Sequence, residues 1–296
     1  MFRFTPTHER KPLRIALILL LATACSTAHT APEPWTITPI AEGSRLAAFA
    51  PTFDRHVDVY GVHIVATATT GERELSHAAN VLAQYLDNDG DRRVDDARVH
   101  RALVDGGAFL AMASTQDEFE HLDLDFERLE RDGFCIGQDL YGDETRPEGS
   151  PHVRSSGRFD ASLEEVWHLV SNGWVRAYPD AFGYGPGSRL TDAMDRARGG
   201  RFASIPQPYP ETAWYHYDDP TCDYECQAAE YFYWALTTLL GGQDYAGRAE
   251  QIAIEWEAST PAELRTRDPA VVTLLTDPAY RLPSVLPDGR YAATRR

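Results

Sequence analysis

Apolar residues recur along this chain with two periods, and the switches between them mark its elements. At residues 75–86 (LSHAANVLAQYL), Leu75, Ala78, Ala79, Leu82 and Leu86 fall at three- and four-residue intervals, which predicts an amphipathic helix. Residues 57–68 (VDVYGVHIVATA) are rich in β-branched side chains and predict a strand. Residues 99–112 predict another helix, whereas 119–129 alternate only in part and fit neither period. Residues 141–158 carry Gly, Pro and Ser throughout and predict a loop. The strongest helical signal lies at 160–175, where Leu163, Val166, Trp167 and Val170 form the apolar stripe and Ser162 with Glu165 reads as a capping box. A second strong helix at 225–240 (ECQAAEYFYWALTTLL) is stopped by Gly241 and Gly242. Short helices are expected at 190–197 and 249–258. No internal repeat occurs. Helices outnumber strands and mix with them irregularly, which predicts an α+β protein, mainly helical with a small β-sheet.

The N-terminal segment has a different pattern. Arg3, Arg10, Lys11 and Arg14 precede a short apolar run at 15–21 (IALILLL), too short for the roughly 20 residues a membrane-spanning helix needs. Ala22, Thr23 and Ala24 follow, then Cys25, which is the order of a signal peptide. The small residues before Cys25 resemble a bacterial lipobox, with Ala22 where Leu is usual. The resemblance implies a removed leader at 1–24 and lipid on Cys25; residues 25–50, rich in Ala, Pro and Thr, are expected to form a tether, and 51–296 one globular domain. Ser26 implies sorting to the outer membrane of a bacterial cell envelope, with the lipid as the only membrane contact. The alternative is an ordinary leader cut nearby, with Cys25 unmodified.

Composition narrows the chemistry. A formal net charge of -17 makes nucleic acid a poor partner. Lys11 is the only lysine, so beyond the leader a lysine Schiff base, a Walker-type phosphate loop and a serine–lysine nucleophile are excluded. No GxSxG elbow occurs, and no GxGxxG follows a strand. In an exported protein disulfides are favoured. Cys222 and Cys226 lie four apart and can pair with each other, or either can pair with Cys135.

Within FDASLEEVWHLV, Glu164 and His168 stand four apart on one helix face, and Glu165 lies between them. This is the spacing of the HExxH zinc-peptidase helix, with Glu164 in place of the first histidine. A carboxylate also ligates zinc, though a further anionic ligand makes the metal a weaker Lewis acid. Glu230, inside an apolar helix where an unpaired carboxylate is costly, is the candidate third ligand. EEVWH followed by AEYFYWAL resembles the Glu-zincin metallopeptidases, most closely the anthrax lethal-factor type. The two segments lie 62 residues apart between His168 and Glu230. The resemblance implies a zincin-like fold and zinc on Glu164, His168 and Glu230. It implies Glu165 as general base, an oxyanion-steadying tyrosine at Tyr217 or Tyr224, and a peptide or protein substrate. His216 is a candidate to replace the missing histidine.

A second cation site is expected at LDNDGDRRVDD, where Asp87, Asp89, Asp91 and Asp95 converge oxygens of the kind Ca2+ prefers. The loop resembles EF-hand-like and thrombospondin-type loops, but Arg92 stands at the sixth position instead of Gly and Arg98 at the twelfth instead of Glu. A site smaller than an EF-hand is expected. Two functions follow: an envelope-anchored zinc peptidase, or a catalytically degenerate zincin-like lipoprotein that holds zinc or calcium and binds an envelope partner.

Overall fold

The computed structural model describes residues 35–149 and 154–291. Cys25, the leader and the tether as far as residue 34 lie outside the described residues.

The predicted strand at 57–68 is a hairpin. Tyr60 and Gly61 both take positive φ, 55° and 81°, the geometry of a two-residue primed turn. The chain therefore reverses between β2 (Arg55–Val59) and β3 (Val62–Ala66), which pair antiparallel with Val59 opposite Val62. The predicted helix at 99–112 likewise divides. α2 (Ala97–Asp105) stops at Gly106 and Gly107, and β4 (Ala108–Ala113) begins at once. Gly107, at φ +58°, lies so close to the backbone of Gly133 that no side chain fits. All six residues of β4 are buried, and such a run carries no period to separate a buried strand from a buried helix.

Among the described residues, β1 (Thr38–Pro39) and β5 (Ile136–Tyr141) complete a five-stranded sheet of order β1-β2-β3-β4-β5. The first two pairings are antiparallel, and β3-β4 and β4-β5 are parallel. Alternation along the strands sorts the core into two layers. Ile64, Ala66, Leu110, Met112 and Leu140 face the helices, whereas Val65, Phe109 and Ala111 face Phe49, Phe53 and Phe134. The ambiguous stretch at 119–129 covers this second face through α3 (Gln116–Glu120) and α4 (Phe126–Arg131), whose Phe119 and Leu129 are buried there.

On the helical face, α1 (Glu72–Leu86) and α5 (Ser162–Ala177) follow the expected stripes. The expected capping box at Ser162 does not form. Ala161 is the N-cap, and the Ser162 hydroxyl donates to Asp160 Oδ1 at 2.7 Å. Asp160 Oδ1 also receives the Ser162 and Arg146 amides. With Asp160 satisfying the helix start, Glu165 is free to turn inward towards β5. α6 (Pro179–Phe182) and α7 (Arg189–Ala197) lead to α8 (Tyr224–Leu239). Asp223 caps α8 by accepting from Cys226 N, and the expected glycine stop is a Schellman turn, with Gly241 N on Thr238 O and Gly242 N on Thr237 O. α9 (Arg248–Ile252) is shorter than the predicted 249–258, because the chain beyond it turns back to pair Trp256 with Tyr215. α10 (Pro261–Arg267) and α11 (Pro269–Leu275) close the helical layer. No helix among the described residues is long and apolar enough to cross a membrane.

α2 and α5 approach closely at Gly173, where an added Cβ would lie 2.6 Å from Val99 Cγ1 and 3.0 Å from Val99 O. Gly173→Ala should therefore destabilise the fold by about 1–3 kcal/mol through overpacking, despite the better helix propensity of alanine. A urea midpoint at or above the wild-type value would show that the two helices can separate at no cost.

Candidate metal centre

α5 and α8 bring together residues far apart in sequence. Glu164, His168 and Glu230 each offer one ligand atom, and these atoms all lie within 4.8 Å of one another. His168 Nε2 is 3.5 Å from Glu230 Oε2, too long for a good hydrogen bond, and among the described residues this buried nitrogen has no hydrogen-bond partner. His168 and Glu230 are 7% and 4% exposed, so water does not compensate freely for the missing bond. Glu164 lies nearer the surface and is partly exposed.

The field around these side chains is strongly negative. Burial, and then the charge of Glu230, pushes Glu164 up to about 8. Burial, and then Glu164, holds Glu165 well above the ordinary carboxylate range. Burial also raises Asp139, against the hydrogen bond it accepts from Tyr141, and pushes Glu144 up to about 7. Burial lowers His168, but Glu230, Glu164 and Asp139 together outweigh it and the net shift is upward. Carboxylates gathered in a poorly solvated place are unfavourable, and a divalent ion there would relieve them.

The remaining predicted residues divide by position. Glu165 is buried beside the ligand set, and its Oε2 accepts from Gln138 Nε2 on β5 at 2.6 Å. Tyr217 lines a cleft of about 420 Å³ together with Glu164, Glu165 and Glu230. Burial, and then Glu230, raises its hydroxyl far above the ordinary range. Tyr224 does not line this cleft, and its hydroxyl donates to Asp195 on α7 at 3.0 Å. His216 is outside the ligand group. Its backbone N–H is held by Glu255 O, its Nε2 lies 2.9 Å from Ala213 O, and its Nδ1 lies 3.9 Å from Glu257. The Tyr215–Trp256 bridge next to it fixes the strand that turns the ring away. Cys222 and Cys226 form the disulfide, tying the loop after Tyr217 to the first turn of α8, and Cys135 is free and exposed. A second cleft of about 380 Å³, lined by Gln138, His168, Tyr184 and Cys226, meets the first at Glu230. Gln138 is a residue that the sequence pattern does not single out. Its only signal is a polar side chain at an inward position of a strand.

In the acidic loop, Asp87, Asp89 and Asp95 each bring one oxygen within 4.8 Å of the others, so this group can also hold a cation. Asp91 is outside it and accepts instead from Arg93 N. Asp87 is 1% exposed and accepts from Tyr60 and Tyr291 hydroxyls and from the Asp91 and Arg92 amides. Arg92 adopts φ 70°, taking the left-handed turn that glycine makes in an EF-hand. The loop thereby ties the C-terminal segment to the β2–β3 turn.

Glu144 gives the cleft a measurable pH signature. Its proton is retained in the native state up to about pH 7, whereas the unfolded chain releases it near the ordinary value of 4.5. The native state binds more protons across that window, so this group's contribution to stability falls as pH rises from about 5 to 7. Urea midpoints of chelator-treated protein should fall more steeply over this range for the wild type than for Glu144→Gln, and equal slopes would exclude a protonated Glu144. Comparison with known proteins adds no family to this geometry: no protein-family model, no curated protein and no solved structure matches the chain.

Proposed function

We propose that the chain is a zinc-dependent hydrolase of peptide bonds with a zincin-like helix pair. The observation that carries this reading is the buried Nε2 of His168, without a hydrogen-bond partner among the described residues and facing Glu230, with Glu164 completing the set within 4.8 Å. Histidine nitrogen with two carboxylate oxygens is a donor set suited to zinc and leaves a coordination position open. Zinc bound there would polarise a substrate carbonyl and make a nearby water more acidic. Glu165, adjacent in sequence and held by Gln138, takes the proton from that water. It must be ionised to do so, and a dication beside it lowers its affinity for the proton. Tyr217, on the same cleft, donates a hydrogen bond to the developing oxyanion.

The second reading is a metal-binding protein without turnover. It is favoured by Glu164 itself: two carboxylates among three ligands cancel the charge of the dication and weaken it as a Lewis acid. In both readings we infer an envelope protein from the export signal and Cys25 expected in the sequence, and we assign calcium in the acidic loop a structural role.

Metal analysis after dialysis should find about one zinc per chain in the wild type, lost in His168→Ala and in Glu230→Ala. Glu165→Gln should keep the metal and lose about 10²–10⁴-fold in peptide hydrolysis, the usual contribution of a general base. Zinc retained in both ligand variants would place it elsewhere. Zinc bound with no hydrolysis of any peptide in a diverse library would select the second reading.

A further inference from the structure

The 420 Å³ cleft contains a cation that the proposed hydrolysis does not use. Arg248, the first residue of α9, is 3% exposed yet lines this cleft with Glu164 and Glu230. Its Nε donates to Gln243 Oε1 at 2.7 Å, and Gln243 is fixed in turn by Thr237 and Tyr233. Its guanidinium carbon stands 4.2 Å from the Phe159 ring centroid, with Trp234 and Tyr245 at 5.6 and 5.9 Å. Its backbone N–H donates to Tyr245 O at 3.1 Å, and among the described residues its side chain forms no salt bridge and no other hydrogen bond. Glu164, on the same cleft, feels the charge of Arg248 but does not pair with it at salt-bridge distance; a buried guanidinium without a close carboxylate is costly, and aromatic rings offset only part of that cost. The stem and Nε are rigidly held, while the two terminal nitrogens are left to the cleft. That is the fork geometry that recognises a carboxylate through two parallel hydrogen bonds. The other arginines on this cleft differ: Arg146 Nη1 is occupied by the carbonyls of Asp143 and Thr145, and Arg158 is exposed.

We propose that Arg248 anchors a carboxylate of the substrate, so that the cleft selects peptides carrying a carboxylate beside the bond presented to Glu164, His168 and Glu230. The carboxylate comes from a chain end or from an acidic side chain. The inference rests on the hydrolase reading for the bond that is cut, but the anchor itself is independent of metal.

Calorimetric titration of the whole protein, zinc-loaded and chelator-stripped, tests it with three probes: N-acetyl-Gly-Phe, its C-terminal amide, and N-acetyl-Glu-Phe-amide. At least one carboxylate probe should bind tenfold or more tightly than N-acetyl-Gly-Phe-amide in both forms. Tighter binding of the first identifies a chain end, and of the third an acidic residue. Arg248→Gln should abolish the preference. Should that variant fail to fold, Arg248→Lys, which keeps the charge and stem but not the fork, should reduce it several-fold. Equal binding of all three probes, no measurable binding of any, or an undiminished preference in the folded variants would overturn the proposal. The stripped form separates the two claims: absence of zinc binding would remove the hydrolase reading and leave the carboxylate preference standing, and the reverse result would remove only the anchor.

Discussion

The contact between His168 on α5 and Glu230 on α8 sets the conditions for everything around it. A buried imidazole nitrogen 3.5 Å from a buried carboxylate, without a hydrogen bond between them, is an unfinished interaction. The surrounding side chains sharpen it. Glu164 and Glu165 stand on the same helix, and Asp139 and Glu144 approach from β5 and the turn after it. Apolar packing supplies the framework that holds these groups in place: Trp167 is fully buried between the Phe232, Trp174 and Tyr85 rings. The core fixes the two helices, the helices fix the donor atoms, and the donor atoms leave room for a cation.

Most of this frame was legible in the sequence wherever the hydrophobic period was long. α1, α5 and α8 are there because their apolar stripes extend over several turns, and the stop after α8 follows from two consecutive glycines. The failures have a common cause. At Tyr60–Gly61 and at Gly106–Gly107 a two-residue backbone feature divides what looks like a single hydrophobic run, and a run without period cannot report its own conformation. At Ser162 the local motif was correct for a helix start, but Asp160, two residues earlier, supplied the acceptor instead.

The candidate site divides along the same line. The spacing of Glu164 and His168 on one face, and the isolated carboxylate in an apolar helix at Glu230, were visible because each is a local pattern. The choice between Tyr217 and Tyr224 depended on which way the loop before α8 runs, and that is decided by the Cys222–Cys226 bridge and by the pairing of Tyr215 with Trp256. That same pairing turns His216 away. Gln138 and Arg248 carry no motif at all; their importance comes only from the cleft they face. In the acidic loop, four aspartates in sequence become three in space, and the most buried of them is already satisfied by tyrosine hydroxyls and backbone amides.

The central claim is that one transition-metal ion belongs between α5 and α8. Anomalous X-ray diffraction at the zinc edge, from crystals of the protein grown with stoichiometric zinc, tests it directly. The account predicts a single strong peak about 2 Å from His168 Nε2 and from one oxygen each of Glu164 and Glu230. A peak confined to the Asp87 loop, or no ordered zinc, would contradict it.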